Sequence, residues 1–197
     1  MLTDGYHDVP AGKIASVVTC LEMTAAPRPG PAEARPGLEL AAAPAPDIDW
    51  YRGLYRAIGT DWLWFSRLVM PAAELAAIIA DPAVEVFVLR DGGRDIGLVE
   101  LDRRIAGEVE LAFFGLVPDA VGTGVGRWMM SRALELAWKT APARVWVHTC
   151  TLDHPAALAF YIRSGFVPYR YAVEIADDPR RAGALPADAA RHVPVIG

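Results

Sequence analysis

Six residues, Val121-Gly122-Thr123-Gly124-Val125-Gly126, lie between a strand-like run, Glu108 to Val117, and a long helical pattern, Arg127 to Lys139. Glycines at alternate positions let the backbone curl so that successive N–H groups point into one concavity. A helix starting there adds its own free N–H groups and the positive end of its dipole. Such a turn suits a phosphate or pyrophosphate, and equally a tight strand-to-helix connection. Two phosphate motifs are excluded. A Walker loop ends in Gly-Lys-Ser/Thr, whereas Gly126 is followed by Arg127-Trp128. A dinucleotide fingerprint needs G-x-G-x-x-G and an acid about 20 residues on, but the spacing here is G-x-G-x-G and residues 144–147 read Arg-Val-Trp-Val.

The elements around this turn alternate. Lys13 to Met23 is rich in β-branched residues and predicts a strand. Asp47 is placed to cap a helix through Tyr51, Leu54, Tyr55 and Ile58, ending near Gly59, and Pro71 opens a second helix, closed by Asp81-Pro82. Val84–Arg90 and Asp95–Leu101 form a hairpin about Asp91-Gly92-Gly93, and Glu108–Val117 follows. Beyond the glycine turn come its helix, a strand at Arg144–Cys150, a helix at Pro155–Ser164 and a final strand at Phe166–Ile175. This order predicts a mixed α/β or α+β sheet. Of the 16 prolines, 7 lie in residues 1–50, 5 in residues 151–197 and 4 between, so the regular domain is central. Pro27 to Gly37 predicts a loop, and the stretch after Asp177 a surface tail.

A chain of 197 residues that is 53% hydrophobic and 22% charged is ample for one folded domain. Its net charge of −5, without a Lys/Arg run, argues against nucleic acid or an anionic membrane as a partner. Two cysteines suit a reducing cytoplasm. The first ten residues lack a signal-peptide pattern, and no apolar run approaches the roughly 20 residues that span a bilayer. The expected location is cytoplasmic.

The strand Glu108–Val117, the V-G-T-G-V-G loop and its helix resemble the acetyl-CoA site of the GNAT superfamily of N-acetyltransferases. Leu152-Asp153-His154-Pro155-Ala156-Ala157-Leu158-Ala159-Phe160-Tyr161, running on to Gly165-Phe166, is similar to that family's second signature. Two departures stand out: Val121 replaces the usual Gln/Arg, and His154 replaces the Asn that opens the helix. The resemblance covers Leu38 to Ile175. It implies an acyl-CoA N-acyltransferase fold, with a central, mostly antiparallel sheet flanked by helices and one splayed strand pair. The implied domain is 38–176, with an N-terminal extension, 1–37, and a tail, 177–197.

What the resemblance implies for single residues is specific. Phe114, Gly115 and Leu116 would hold the pantetheine arm like an added strand. Val121, Gly122, Thr123, Gly124, Val125, Gly126 and Arg127 would cradle the pyrophosphate, and His154 would supply a donor. Tyr161 is the expected general acid, since a phenol near pKa 10 lies not far above a thiol near 8.5. Glu110 is the base candidate, and period-two alternation sets Glu108, Glu110, Ala112 and Phe114 on one face. Trp62, Trp64 and His148 are the acceptor-side candidates, His148 as a proton relay. His148 and Cys150 share a strand face, but no companion pattern supports a metal, and none is expected.

The implied activity is direct transfer of acetyl from acetyl-CoA to a primary amine of a small molecule or peptide. The alternative is a non-catalytic, CoA-binding module acting as sensor or interaction domain. A nucleotide-binding domain unrelated to the family would account for the glycine turn alone. A homodimer is open to the chain through the strand at 13–23.

Overall fold

The computed structural model describes residues 3–27 and 35–196, so part of the expected Pro27–Gly37 loop lies outside the described residues. Seven strands, β1 (Lys13–Met23), β2 (Leu38–Ala42), β3 (Val84–Asp91), β4 (Arg94–Asp102), β5 (Glu108–Leu116), β6 (Arg144–Cys150) and β7 (Val167–Asp177), form one sheet in the order β2-β3-β4-β5-β6-β1-β7. The helices are α1 (Ile48–Gly59), α2 (Ser66–Val69), α3 (Ala72–Ile79), α4 (Val125–Ala137) and α5 (Ala157–Arg163). None is long and apolar enough to cross a membrane. The predicted elements are present; β2 and α2 are additional.

Local chemistry explains the main elements. Asp47 Oδ1 accepts from the N–H groups of Asp49 (3.0 Å) and Trp50 (2.9 Å), satisfying two of the donors that open α1. Tyr51, Leu54, Tyr55 and Ile58 then fall on one buried stripe. In α4 the buried residues Met129, Met130, Ala133, Leu134 and Ala137 repeat at helical spacing against the sheet. Each large apolar side chain so buried contributes about 1.5–3 kcal/mol.

Strand β1 is an interior strand. It pairs antiparallel with β6 (Val18↔Cys150 to Met23↔Val145) and with β7 (Lys13↔Asp177 to Glu22↔Val167). Its sequence explains this position: buried and exposed residues alternate in its first half, whereas Val18 to Leu21 are buried without interruption. Although the resemblance begins at Leu38, the first strand of the chain thus belongs to the sheet. The tail is held by a second apolar cluster, where Leu185, Ala189 and Ala190 pack with Ile14, Leu63 and Leu152. Buried Arg180 braces it, pairing with Asp178 (2.7 Å) and donating to the carbonyls of Ala189 (3.2 Å) and Val193 (2.7 Å).

Candidate active site

Strands β5 and β6 are the parallel pair, and they stay together only from Glu108↔Arg144 to Glu110↔Trp146. Beyond Glu110, β5 continues to pair with β4 through Leu116↔Gly97, while its other edge is open. The splay creates a cleft of about 440 Å³, within the usual range for small-molecule sites. Its wall includes Phe114, Gly115, Leu116 and Val121 at one end and Glu110 and His148 at the other.

A bulge corrects the simple alternation expected for β5. Leu101 pairs with Leu111 but Glu100 pairs with Phe113, so Ala112 is the extra residue. The side chains beyond it are re-aimed. Phe113 joins the Tyr55–Trp64 wall of the cleft, 5.0 Å from the Tyr55 ring and 5.5 Å from Trp64. Phe114 turns to the other side and stacks on Phe160 at 5.7 Å. Glu110 and Phe114 therefore do not share a face.

The glycine loop has the geometry of an anion cradle. Gly122 and Gly124 adopt φ of +82° and +83°, which L side chains rarely reach. Helix α4 begins with Gly124 as its N-cap and no capping side chain. Among the described residues, no hydrogen bond engages the N–H groups of Gly122, Thr123 and Gly124. Arg35, arriving from the linker, donates to the Thr123 carbonyl (3.4 Å), and its Nη2 lies 3.0 Å from where a Cβ on Gly124 would sit. Uncommitted donors and a cation beside them fit a diphosphate. Arg35 escaped the sequence analysis because it lies in a proline-rich segment 88 residues from Thr123. Val121, Val125, Gly126 and Arg127 complete this strand-to-helix turn, with Arg127 exposed.

At the other end, Glu110 Oε1 and His148 Nδ1 are 3.3 Å apart. The hydrogen bond to Glu110, more than its charge, raises the His148 pKa above 6.5 against the opposing effect of desolvation. Asp153, also missed, organises the far wall. Its Oδ1 accepts from Trp64 Nε1 (3.1 Å), and its Oδ2 accepts from Thr149 Oγ1 (2.7 Å) and the Cys150 N–H (2.8 Å). An Asp three residues past a strand reads from sequence as a turn residue, which left its reach to Trp64 unseen.

Trp62 and Trp64 line the same cleft by different routes. The intervening Leu63 is left-handed (φ 53°) and buried in the second cluster, so the chain is not extended there. Trp62 meets the rings of His154 (4.9 Å) and His192 (5.8 Å). Trp64 covers Gly115, where a Cβ would come within 2.8 Å of the indole. His154 Nδ1 accepts from the Ala156 N–H (3.0 Å), which leaves Nε2 as the donor of the neutral ring.

Tyr161 is buried in the cleft among Phe114, Phe160 and Phe166. Burial, assisted by the charge of Asp153, pushes its hydroxyl well above the ordinary phenol range. The phenol thus keeps its proton more tightly than an ordinary tyrosine. Burial likewise raises the Cys150 thiol, and the histidine beside it pairs with Glu110 instead. A thiolate nucleophile is therefore disfavoured. Behind Phe113 lies a buried trio that the sequence did not announce: Glu100 accepts from Tyr51 and Arg67, and the Arg67 guanidinium lies 5.1 Å from the Phe113 ring centre.

Residues 82–168 match the acetyltransferase (GNAT) domain family. No curated protein is similar enough to this sequence to count as a relative. Solved structures share the fold at low identity. A GCN5-related N-acetyltransferase from Sphaerobacter thermophilus has a TM-score of 0.60 at 18% identity, over 88% of this chain and 53% of that one. A putative GNAT-family acetyltransferase from Novosphingobium aromaticivorans gives 0.57 at 15%, over 85% and 67%. An aminoglycoside acetyltransferase from an uncultured soil metagenomic sample gives 0.54 at 15%, over 66% and 88%. The chain thus spans only about half the length of the Sphaerobacter protein. The splayed strands, the glycine cradle and this match agree: residues 82–168 are similar to the acetyltransferase (GNAT) domain, and the chain shares the fold of these acetyltransferase structures.

Proposed function

We propose that this chain transfers acetyl from acetyl-CoA to a primary amine bound at the Glu110–His148 end of the cleft. The observation that carries the proposal is one continuous cleft with a diphosphate-fitting cradle at one end, an open strand edge along it and a carboxylate–imidazole pair at the other. Acetyl-CoA, when bound, supplies the acetyl group as a thioester. The cradle residues Gly122 to Gly126, with Arg35, would hold its diphosphate, and the open edge at Phe114–Leu116 its pantetheine amides.

The chain's own residues then handle protons. Glu110 accepts the Nδ1–H of His148 and fixes that tautomer, leaving Nε2 to take the proton an ammonium must lose before it can attack. Tyr161 holds its proton at Oη and offers it as a hydrogen bond to the departing sulfur. The raised Tyr161 pKa makes early transfer unfavourable, so the proton moves only as negative charge develops there.

The acceptor class follows from charge. Asp102 is paired with Arg104, and Arg67 with Glu100. Glu110, Asp153 and Glu174 remain beside aromatic walls, and both carboxylates and π faces favour cations. An amine carrying a second positive charge fits best. Calorimetry with acetyl-CoA, followed by thiol-release assays on a linear diamine and on an amino dicarboxylate, tests this. Binding with preferred turnover of the diamine supports it, and binding without turnover of any amine would favour the non-catalytic module. Gly124→Asp, which places bulk and negative charge in the cradle, should lower acetyl-CoA affinity at least about 100-fold. Unchanged affinity would put the diphosphate elsewhere.

A further inference from the structure

Strand β7 ends the sheet and pairs only with β1. It runs for 11 residues, whereas β2 at the opposite edge has 5. Long edges are usually shortened, charged or covered, because their free backbone groups recruit other strands. This one carries Arg170 and Glu174 but is neither short nor covered by another element among the described residues. On one face of it Tyr171 is 72% exposed, Val173 49% and Ile175 54%, and Val17 of β1, opposite Val173, is 46% exposed. The C-terminal tail leaves them exposed, and its Leu185, Ala189 and Ala190 pack against Ile14, Leu63 and Leu152. At roughly 150–250 Å² per tyrosine, Tyr171 alone leaves over 100 Å² of surface in water.

The sequence of this edge is complementary to itself. Read antiparallel against a second copy about Ala172, Arg170-Tyr171-Ala172-Val173-Glu174 sets Arg170 opposite Glu174 of the partner subunit and Tyr171 opposite Val173 of the partner subunit, each twice. Arg170 and Glu174 are exposed, and neither forms an ion pair among the described residues. Centring the pair on Tyr171 or Val173 instead sets Arg170 against alanine and loses both charge pairs. The sheet faces also agree: a two-fold axis normal to the sheet keeps Tyr171 and Val173 on one face of both copies and Arg170 and Glu174 on the other, the face on which Glu174 lines the cleft. Opposite charges and aromatic–β-branched pairs are favourable cross-strand neighbours. The seam stops on one side at the bulge near Tyr169–Arg170 and at Pro168, which has no N–H.

We propose that β7 pairs antiparallel with β7 of a second copy of this chain, in register about Ala172, joining the two sheets into one. Glu174 also lines the acceptor cleft, so each subunit delivers Arg170 to the mouth of the other's cleft. Pairing neutralises Glu174 there and leaves Glu110 and Asp153 as the carboxylates facing the acceptor. The seam is short, so the dimer is concentration-dependent.

Sedimentation equilibrium over a roughly hundredfold range of protein concentration tests this. The unaltered protein should dimerise. Arg170→Glu and Glu174→Arg should each weaken the dimer about tenfold or more, because two attractive pairs become repulsive. The combined exchange should restore it. Ala172→Cys, opposite itself on the axis, should form an intermolecular disulfide under mild oxidation, since facing Cα atoms in antiparallel strands are about 4.5–5.5 Å apart. Tyr171→Cys, opposite valine, should not. A monomer at every concentration, a dimer unmoved by either single reversal, or a double exchange no better than the singles would overturn the proposal.

Discussion

Replacing Arg67 by methionine keeps most of the side chain's apolar length and removes its charge, which isolates one interaction. Glu100 is inaccessible to solvent and Arg67 nearly so. In the variant, Glu100 keeps the Tyr51 hydroxyl but loses its only paired cation among the described residues. Removing one partner of a buried pair typically costs about 3–5 kcal/mol, because the remaining charge is stranded in a low dielectric. The lost contact of the guanidinium with Phe113 adds about 0.5–2 kcal/mol. A loss near 4 kcal/mol is a large fraction of the roughly 5–15 kcal/mol that holds a domain together. Urea denaturation should show it as a lower midpoint at unchanged slope. The triple variant Tyr51→Phe/Arg67→Met/Glu100→Leu leaves no charge or hydroxyl in the trio and should recover most of the loss. A loss below about 1 kcal/mol in the single variant, or a triple variant no more stable than the single, would refute the argument, the second by showing that packing rather than charge dominates.

The other predictions concern protons. Tyr161→Phe should lower turnover by about 100-fold with acetyl-CoA affinity nearly unchanged; equal turnover in a steady-state assay would remove the hydroxyl from the reaction. Because Glu110 holds the His148 pKa above 6.5, the neutral imidazole appears only as pH rises through that raised value, so the rate should climb there. Glu110→Gln should shift the climb to lower pH in a pH–rate profile, and an unmoved limb would assign it to another group. The sign for stability follows: what this pair contributes is fully present below pH 6.5 and lost as pH rises through the raised value.

Patterns confined to neighbours in the chain were legible in the sequence. The Asp47 cap, the stripe of Tyr51, Leu54, Tyr55 and Ile58, the Gly122–Gly126 turn and the strand at 13–23 stand where their residue types put them. Interactions decided by distant partners were not. Trp64 and Asp153 meet across 89 residues, and Arg67 and Glu100 across 33. The bulge at Ala112 was hidden for a different reason: period-two alternation assumes one residue opposite one, and only the pairing with β4 shows the extra residue. Strand β2, five residues after a proline-rich stretch, is too short to carry a period of its own.

The insertion of β1 also bears on why the cleft exists. Strand β6 is held by β1 over six register positions and by β5 over three. Its twist is therefore set mainly by β1 and β7, and it can turn away from β5 beyond Glu110 without losing hydrogen bonds on its other edge. The cost falls on β5, whose edge from Leu111 to Leu116 is left without a partner strand among the described residues. Buried backbone donors and acceptors are rarely left unpaired. Water or an extended ligand amide can pair here, because the splay leaves room beside the strand. The open edge and the glycine cradle lie on the same side of β5, since the strand leads through Val117 directly into the turn before α4. Chain connectivity alone thus aligns the strand edge with the cradle, and the first strand of the chain keeps the opposite wall apart.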